Sequence, residues 1–131
     1  KQITRTSRDK IVAEIAAGID AGEGVELIAD RIVSAGTIES VYRSQMIART
    51  EVHSAAQFGG LTAAKESKVV REKEWIPVND SRTRDAHSNV ASVPINQPFW
   101  VDGEELQYPG DPSGSPANII NCRCAMTYTV R

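Results

Sequence analysis

From Ile38 to Phe58 the chain holds neither proline nor glycine, and this stretch constrains the fold more than any other. Backbone free of both breakers and rich in alanine and long side chains propagates helix. A long helix is therefore expected from a Thr37 cap to either the Gly59-Gly60 pair or about Ser67. Two shorter helices precede it. Thr6, with Asp9 in the third helical place, makes a capping box. Ile11, Ile15 and Ile19 then recur every four residues, with Val12 and Ala16 beside them, so a helix is expected from about Ser7 to Ala21. Gly22 and Gly24 break it. Val25, Ile28, Ile32 and Ala35 trace a second apolar stripe that ends at Gly36, and residues 1–36 read as a helical hairpin.

Beyond Lys68 the pattern changes from helix to strand. Val69 to Ile76 interleaves charges among β-favouring residues, which suits a half-exposed strand closed by Pro77. Ser92 to Pro98 has two prolines and no helical period. Phe99-Trp100-Val101, Asp102-Gly103 and Leu106-Gln107-Tyr108 spell a hairpin whose turn needs positive φ. Pro109 to Pro116 reads as loop, and Cys122 to Val130 alternates as a last strand. Helices followed by strands give an α+β fold, with the helical hairpin and the long third helix packed on a small, mostly antiparallel sheet. At 131 residues one domain is expected, a hairpin (1–36) joined to a core (37–131), with any seam near Gly59 to Lys68. The start at Lys1, without an initiator methionine, is read as the start of a fragment of a longer protein.

A net charge of −2 and a pI near 5.7 disfavour a protein that grips DNA through global phosphate neutralisation. Local patches remain, basic at Lys65, Lys68, Arg71 and Lys73 and acidic at Asp102, Glu104, Glu105 and Asp111; the simplest reading of both is solvated surface. Cys122 and Cys124, one residue apart, are too close for an ordinary disulfide, which fits a reducing compartment. No apolar run reaches the length of about 18 residues that a spanning helix needs, so no membrane role is expected.

The densest chemistry lies between Trp75 and His87. Asp80, Arg82, Arg84, Asp85 and His87 place two carboxylates, two guanidiniums and an imidazole within eight residues. Such a cluster is either a site or a loop locked by Arg–carboxylate pairs. On the third helix Arg49, His53 and Gln57 lie four apart, with Glu51 between the first two, and this face is expected near the loop. The strong catalytic signatures are missing: there is no phosphate-binding glycine loop, nucleophile elbow or His-Glu-x-x-His pair. A metal-free nuclease would use His53 or His87 as base and Arg82, Arg84 or Arg123 on the phosphate, but the spacing does not demand it. Glu51 between Arg49 and His53 also invites an ADP-ribosyl transfer site. Helical placement and 5% aromatic content argue against that. His53, His87, Cys122 and Cys124 are the complete set of soft ligands and would satisfy tetrahedral zinc, against the simpler reading of Cys122 and Cys124 as core thiols on one strand face with Met126 and Tyr128.

Five motifs then stand in order: Ala48-Arg49-Thr50-Glu51 in a long helix, Lys73-x-Trp75, Asp80-x-Arg82-Thr83-Arg84-x-x-His87, Pro109-Gly110-Asp111-Pro112, and Asn121-Cys122-Arg123-Cys124. Together they resemble the phage Mu protein F-like family of minor head (head morphogenesis) proteins, from about Ile38 to the C-terminus. The family's usual leucine-glycine after the histidine is Ser88-Asn89-Val90 here. The resemblance implies a minor virion component inside the phage head, present in the host cytoplasm during assembly. It further implies association with the portal protein and other head proteins and a bearing on packaged DNA; apart from the zinc reading above, no cofactor is expected. It supplies no catalytic residue, so Arg49, Glu51, His53, Asp80, Arg82, Arg84, Asp85, His87 and Arg123 are expected to form a binding or structural polar cluster, not a catalytic one.

Overall fold

The structure, a computed structural model, describes the backbone of residues 5–36 and 40–130 and the side chains from residue 8 onward within those ranges. It divides into two compact units, Lys1–Val52 and His53–Arg131.

In the first unit α1 (Arg5–Asp20) and α2 (Val25–Ser34) form the expected hairpin. The turn closes on Gly22 at φ +72°, a conformation that costs a side-chain-bearing residue steric strain. Gly18 permits close helix approach, since a Cβ there would lie 2.5 Å from Ile28 Cγ1. Ile11, Ile15, Ile28, Ala29, Ile32 and Ala48 make the core, with Val25, Ile47 and Val52 packed against it. The expected stripe on α1 is narrower than its period suggested, because Val12 and Ile19 are exposed. Arg31 ties the hairpin from outside, donating to Glu23 at 2.6 and 3.0 Å and to Glu14 at 3.5 Å. Helix α1 is already running at Thr6, so Thr6 is not its cap, and its side chain is outside the described residues.

Helix α3 (Val41–Ser67) starts after Ser40, whose Oγ accepts the Arg43 N–H at 3.2 Å. That is N-cap geometry. The expected Thr37 cap lies outside the described residues. The helix runs through Gly59-Gly60 and stops where Lys68 takes φ +62°. Its later half belongs to the second unit. There Phe58 meets the Tyr108 ring edge-on at 5.8 Å, and a Cβ on Gly60 would lie 3.3 Å from the Tyr128 hydroxyl.

The sheet of the second unit has order β2-β1-β5, all antiparallel: β1 (Val70–Ile76), β2 (Val93–Pro94) and β5 (Ala125–Val130). Trp75 pairs with Met126, so the strand around Trp75 and the last strand share one sheet, as expected. A separate hairpin joins β3 (Phe99–Val101) to β4 (Glu104–Leu106) through Asp102 and Gly103, both at positive φ. Of two four-residue helices, α4 (Asp85–Ser88) stands where loop was expected, and α5 (Pro116–Ile119) starts at the last residue of the expected Pro109–Pro116 loop. The core gathers Trp75, Phe99, Val101, Leu106, Cys122 and Cys124. The last strand begins three residues later than expected, because Asn121 at φ +57° turns the chain first. Cys122 and Cys124 therefore lie in that turn, not on the strand face with Met126 and Tyr128.

Candidate functional site

The segment after β1 folds on Asp80. Its Oδ1 accepts the Arg82 N–H at 2.9 Å, and its own N–H donates to Thr83 Oγ1 at 3.2 Å, a local turn that aspartate favours. The same Oδ1 accepts from the Arg123 guanidinium at 2.6 Å. That guanidinium, followed by the Arg82 N–H, holds the Asp80 carboxyl well below the usual carboxylate range. Arg84 donates to the carbonyl of Ile120. Thus the two arginines that clamp the loop, Arg84 and Arg123, tie it to the turn before β5 instead of pairing within it. Arg84's partner is a carbonyl, where a carboxylate was expected.

Helix α4 then turns His87 inward, to 1% exposure, edge-on to Trp75 with ring centroids 5.3 Å apart. His87 Nε2 lies 3.3 Å from Asn118 Oδ1. The Asn118 amide is oriented by its other end, where Nδ2 donates to Val101 O at 3.2 Å and to Glu104 Oε1 at 2.5 Å. An amide oxygen only accepts, so Nε2 carries a proton, and in the neutral imidazole Nδ1 then holds a lone pair. That lone pair faces Cys124 Sγ at 3.6 Å and Cys122 Sγ at 3.7 Å. Both cysteines are buried free thiols. Within the pair, donation from Cys122 favours the thiolate on Cys124, against that residue's own burial, and the Cys122 thiol is pushed up.

His53 Nε2 donates to the Cys124 carbonyl at 2.6 Å, so this imidazole supports the cysteine turn through backbone and stands apart from the sulfurs. Of the four soft ligands, the structure gathers three, His87, Cys122 and Cys124, with ligand atoms within 4.8 Å of one another. Arg49 and Glu51 are exposed on the part of α3 in the first unit. Arg82 is exposed in the loop and Asp85 is exposed at the start of α4. A small cleft beside His87 and Cys124 is lined by Arg82, Thr83, Arg84, Asn121 and Arg123.

Sequence reasoning missed Asn118 and Glu104, the pair that sets the His87 tautomer. Glu104 also accepts the Ser115 N–H and hydroxyl at 3.1 Å, and these bonds with Asn118 lower its pKa against partial burial. Asp111 was read as solvated charge, yet it is buried and accepts from Gln107 N, Ser113 N and Ser113 Oγ at 2.8 to 2.9 Å. The aspartate of the Pro109-Gly110-Asp111-Pro112 motif is thereby a loop knot. Lys73 was also read as surface; it is fully buried, donating to Gln107 O at 2.7 Å with its ammonium 4.7 Å from the centre of the Phe99 ring.

Among curated proteins and solved structures, none matches the chain. A family profile, Phage Mu protein F like protein, matches residues 9–127. That span takes in all five sequence motifs and both units, and it reaches well before Ile38, where the motif resemblance begins. The chain belongs to the phage Mu protein F-like family of bacteriophage head proteins.

Proposed function

We propose that this chain is a minor component of the phage head that acts in head morphogenesis by associating with the portal protein and other head proteins, and so bears on DNA packaging or ejection. The family match across residues 9–127 carries this reading. On it, the protein works inside the virion and in the host cytoplasm during assembly, and it binds rather than turns over a substrate. The way its polar groups are used supports that: Arg84, Arg123, Asp80 and His87 are engaged with other parts of the same unit. Among the described residues no helix is long and apolar enough to cross a membrane.

Co-expression with portal protein, affinity capture and electron microscopy of assembled heads test the proposal. It predicts co-purification, and malformed or empty heads when the chain is missing. Normal filled heads without the chain would contradict it. Incubation with RNA, plasmid DNA and a nicotinamide dinucleotide addresses the competing enzymatic class: cleavage or transfer that disappears in His87→Ala would overturn a purely binding role.

A further inference from the structure

We propose that His87 Nδ1, Cys122 Sγ and Cys124 Sγ bind one zinc ion, with a water in the adjoining cleft as fourth ligand. Tetrahedral zinc with bonds of about 2.3 Å to sulfur and about 2.0 Å to nitrogen separates a sulfur from a nitrogen ligand by roughly 3.5 Å. The two such separations here are 3.6 and 3.7 Å. All three ligand atoms lie within 4.8 Å of one another.

The surroundings supply what a metal site requires beyond its ligands. Histidine ligands are held by a donor bond from the other ring nitrogen; Asn118 accepts that bond, and Glu104 fixes the amide. Trp75 Nε1 is buried without a hydrogen-bond partner, in the same core as Cys122 and Cys124. The fourth position opens on the cleft between Thr83, Arg84 and Asn121, which has room for roughly one water. Both cysteines bind as thiolates, their protons passing to solvent, and the ion carries its own two positive charges into the site. Its effect is a cross-link between α4 and the turn before β5, two segments that Arg84 and Arg123 already clamp from outside. His53 is not among the gathered donors; its Nε2 bonds to the Cys124 carbonyl instead.

The test is elemental analysis and zinc-edge X-ray absorption on the 131-residue chain, purified without a histidine tag. The expected result is one zinc per chain with two sulfur neighbours at about 2.3 Å, a single imidazole and one further oxygen at about 2.0 Å. Cobalt in place of zinc should give thiolate charge-transfer and tetrahedral bands. Chelation should lower the melting temperature by on the order of 10 °C. His53→Gln, which keeps a donor for the Cys124 carbonyl, should retain the ion, whereas His87→Ala should lose it. The elemental, absorption and cobalt measurements use the wild-type chain and need no variant to fold. Metal-free wild-type protein that takes up neither zinc nor cobalt and shows two freely titrating thiols would overturn the proposal. Two imidazoles in the absorption spectrum, or loss of metal in His53→Gln, would overturn the ligand set.

Discussion

The two units are held together in different ways. The first buries isoleucines and alanines from α1, α2 and the start of α3 against one another, with one external arginine clamp. Apolar contact is non-directional, so such a core tolerates a shaved methyl group and re-packs. The second has an apolar core too, but threaded through it are Lys73, His87, Asn118 and Asp111, buried polar groups that each need a particular partner. A hydrogen bond lost in such a place leaves its other half stranded without water. The lesson is that the unit with more loop is the less forgiving, because its loops are fixed by single atoms.

The sharpest way to expose that difference is Asn118→Ala. It strands His87 Nε2, the Val101 carbonyl and the Glu104 carboxylate together, and a loss of about 3 kcal/mol is expected by chemical denaturation. A loss below about 1 kcal/mol would erase the distinction between the units.

Lys73 comes next. Burial, reinforced by the nearby positive charge of Lys65, pushes its pKa down to about 8, against a smaller opposing pull from Asp111. Between about pH 8 and its ordinary value of 10.5 the unfolded chain holds a proton on Lys73 that the folded chain has released, so this residue's contribution to stability rises with pH. The rise is about 1 to 2 kcal/mol after allowance for solvent screening. Lys73→Met should remove it, which is read as the difference between the two proteins' stability curves over that range. Equal slopes would show that the ammonium is not confined.

In the first unit, Ile28→Val removes one buried methyl group from a fully covered side chain and should cost about 1 kcal/mol. The smallest effect belongs to Arg123→Ala. Its pair with Asp80 is short, but both side chains are substantially exposed, so a loss under about 1 kcal/mol is expected, shrinking in high salt. If Arg123→Ala costs more than Asn118→Ala, surface charge and not buried polarity organises the second unit.

The same contrast explains what could be read in the chain. Isoleucine spacing announces α1 and α2, the breaker-free run announces α3, and Asp102-Gly103 announces its hairpin, because each is a local rule written in neighbouring residues. Helices α4 and α5 are one turn each and exist through tertiary support, so no period marks them. The start of β5 was misplaced because alternation continues through Cys122 and Cys124 while the backbone at Asn121 does not. Counting soft ligands found all three gathered donors but could not separate His87 from His53. That choice rests on Asn118 and the Cys124 carbonyl, 31 and 71 residues away along the chain. Glu104 and Asp111 looked like solvated acids for the same reason, since a carboxylate's partners across a loop leave no trace in its neighbours.

The central claim is that His87 is pinned by Asn118 with its Nδ1 lone pair turned to the two sulfurs. Nitrogen-15 correlation spectra of the imidazoles measure this directly, since the two ring nitrogens of a neutral histidine differ widely in shift. The account predicts a single, non-exchanging His87 form with the proton on Nε2 and an unprotonated Nδ1. A proton on Nδ1, or rapid averaging between the two tautomers, would contradict it.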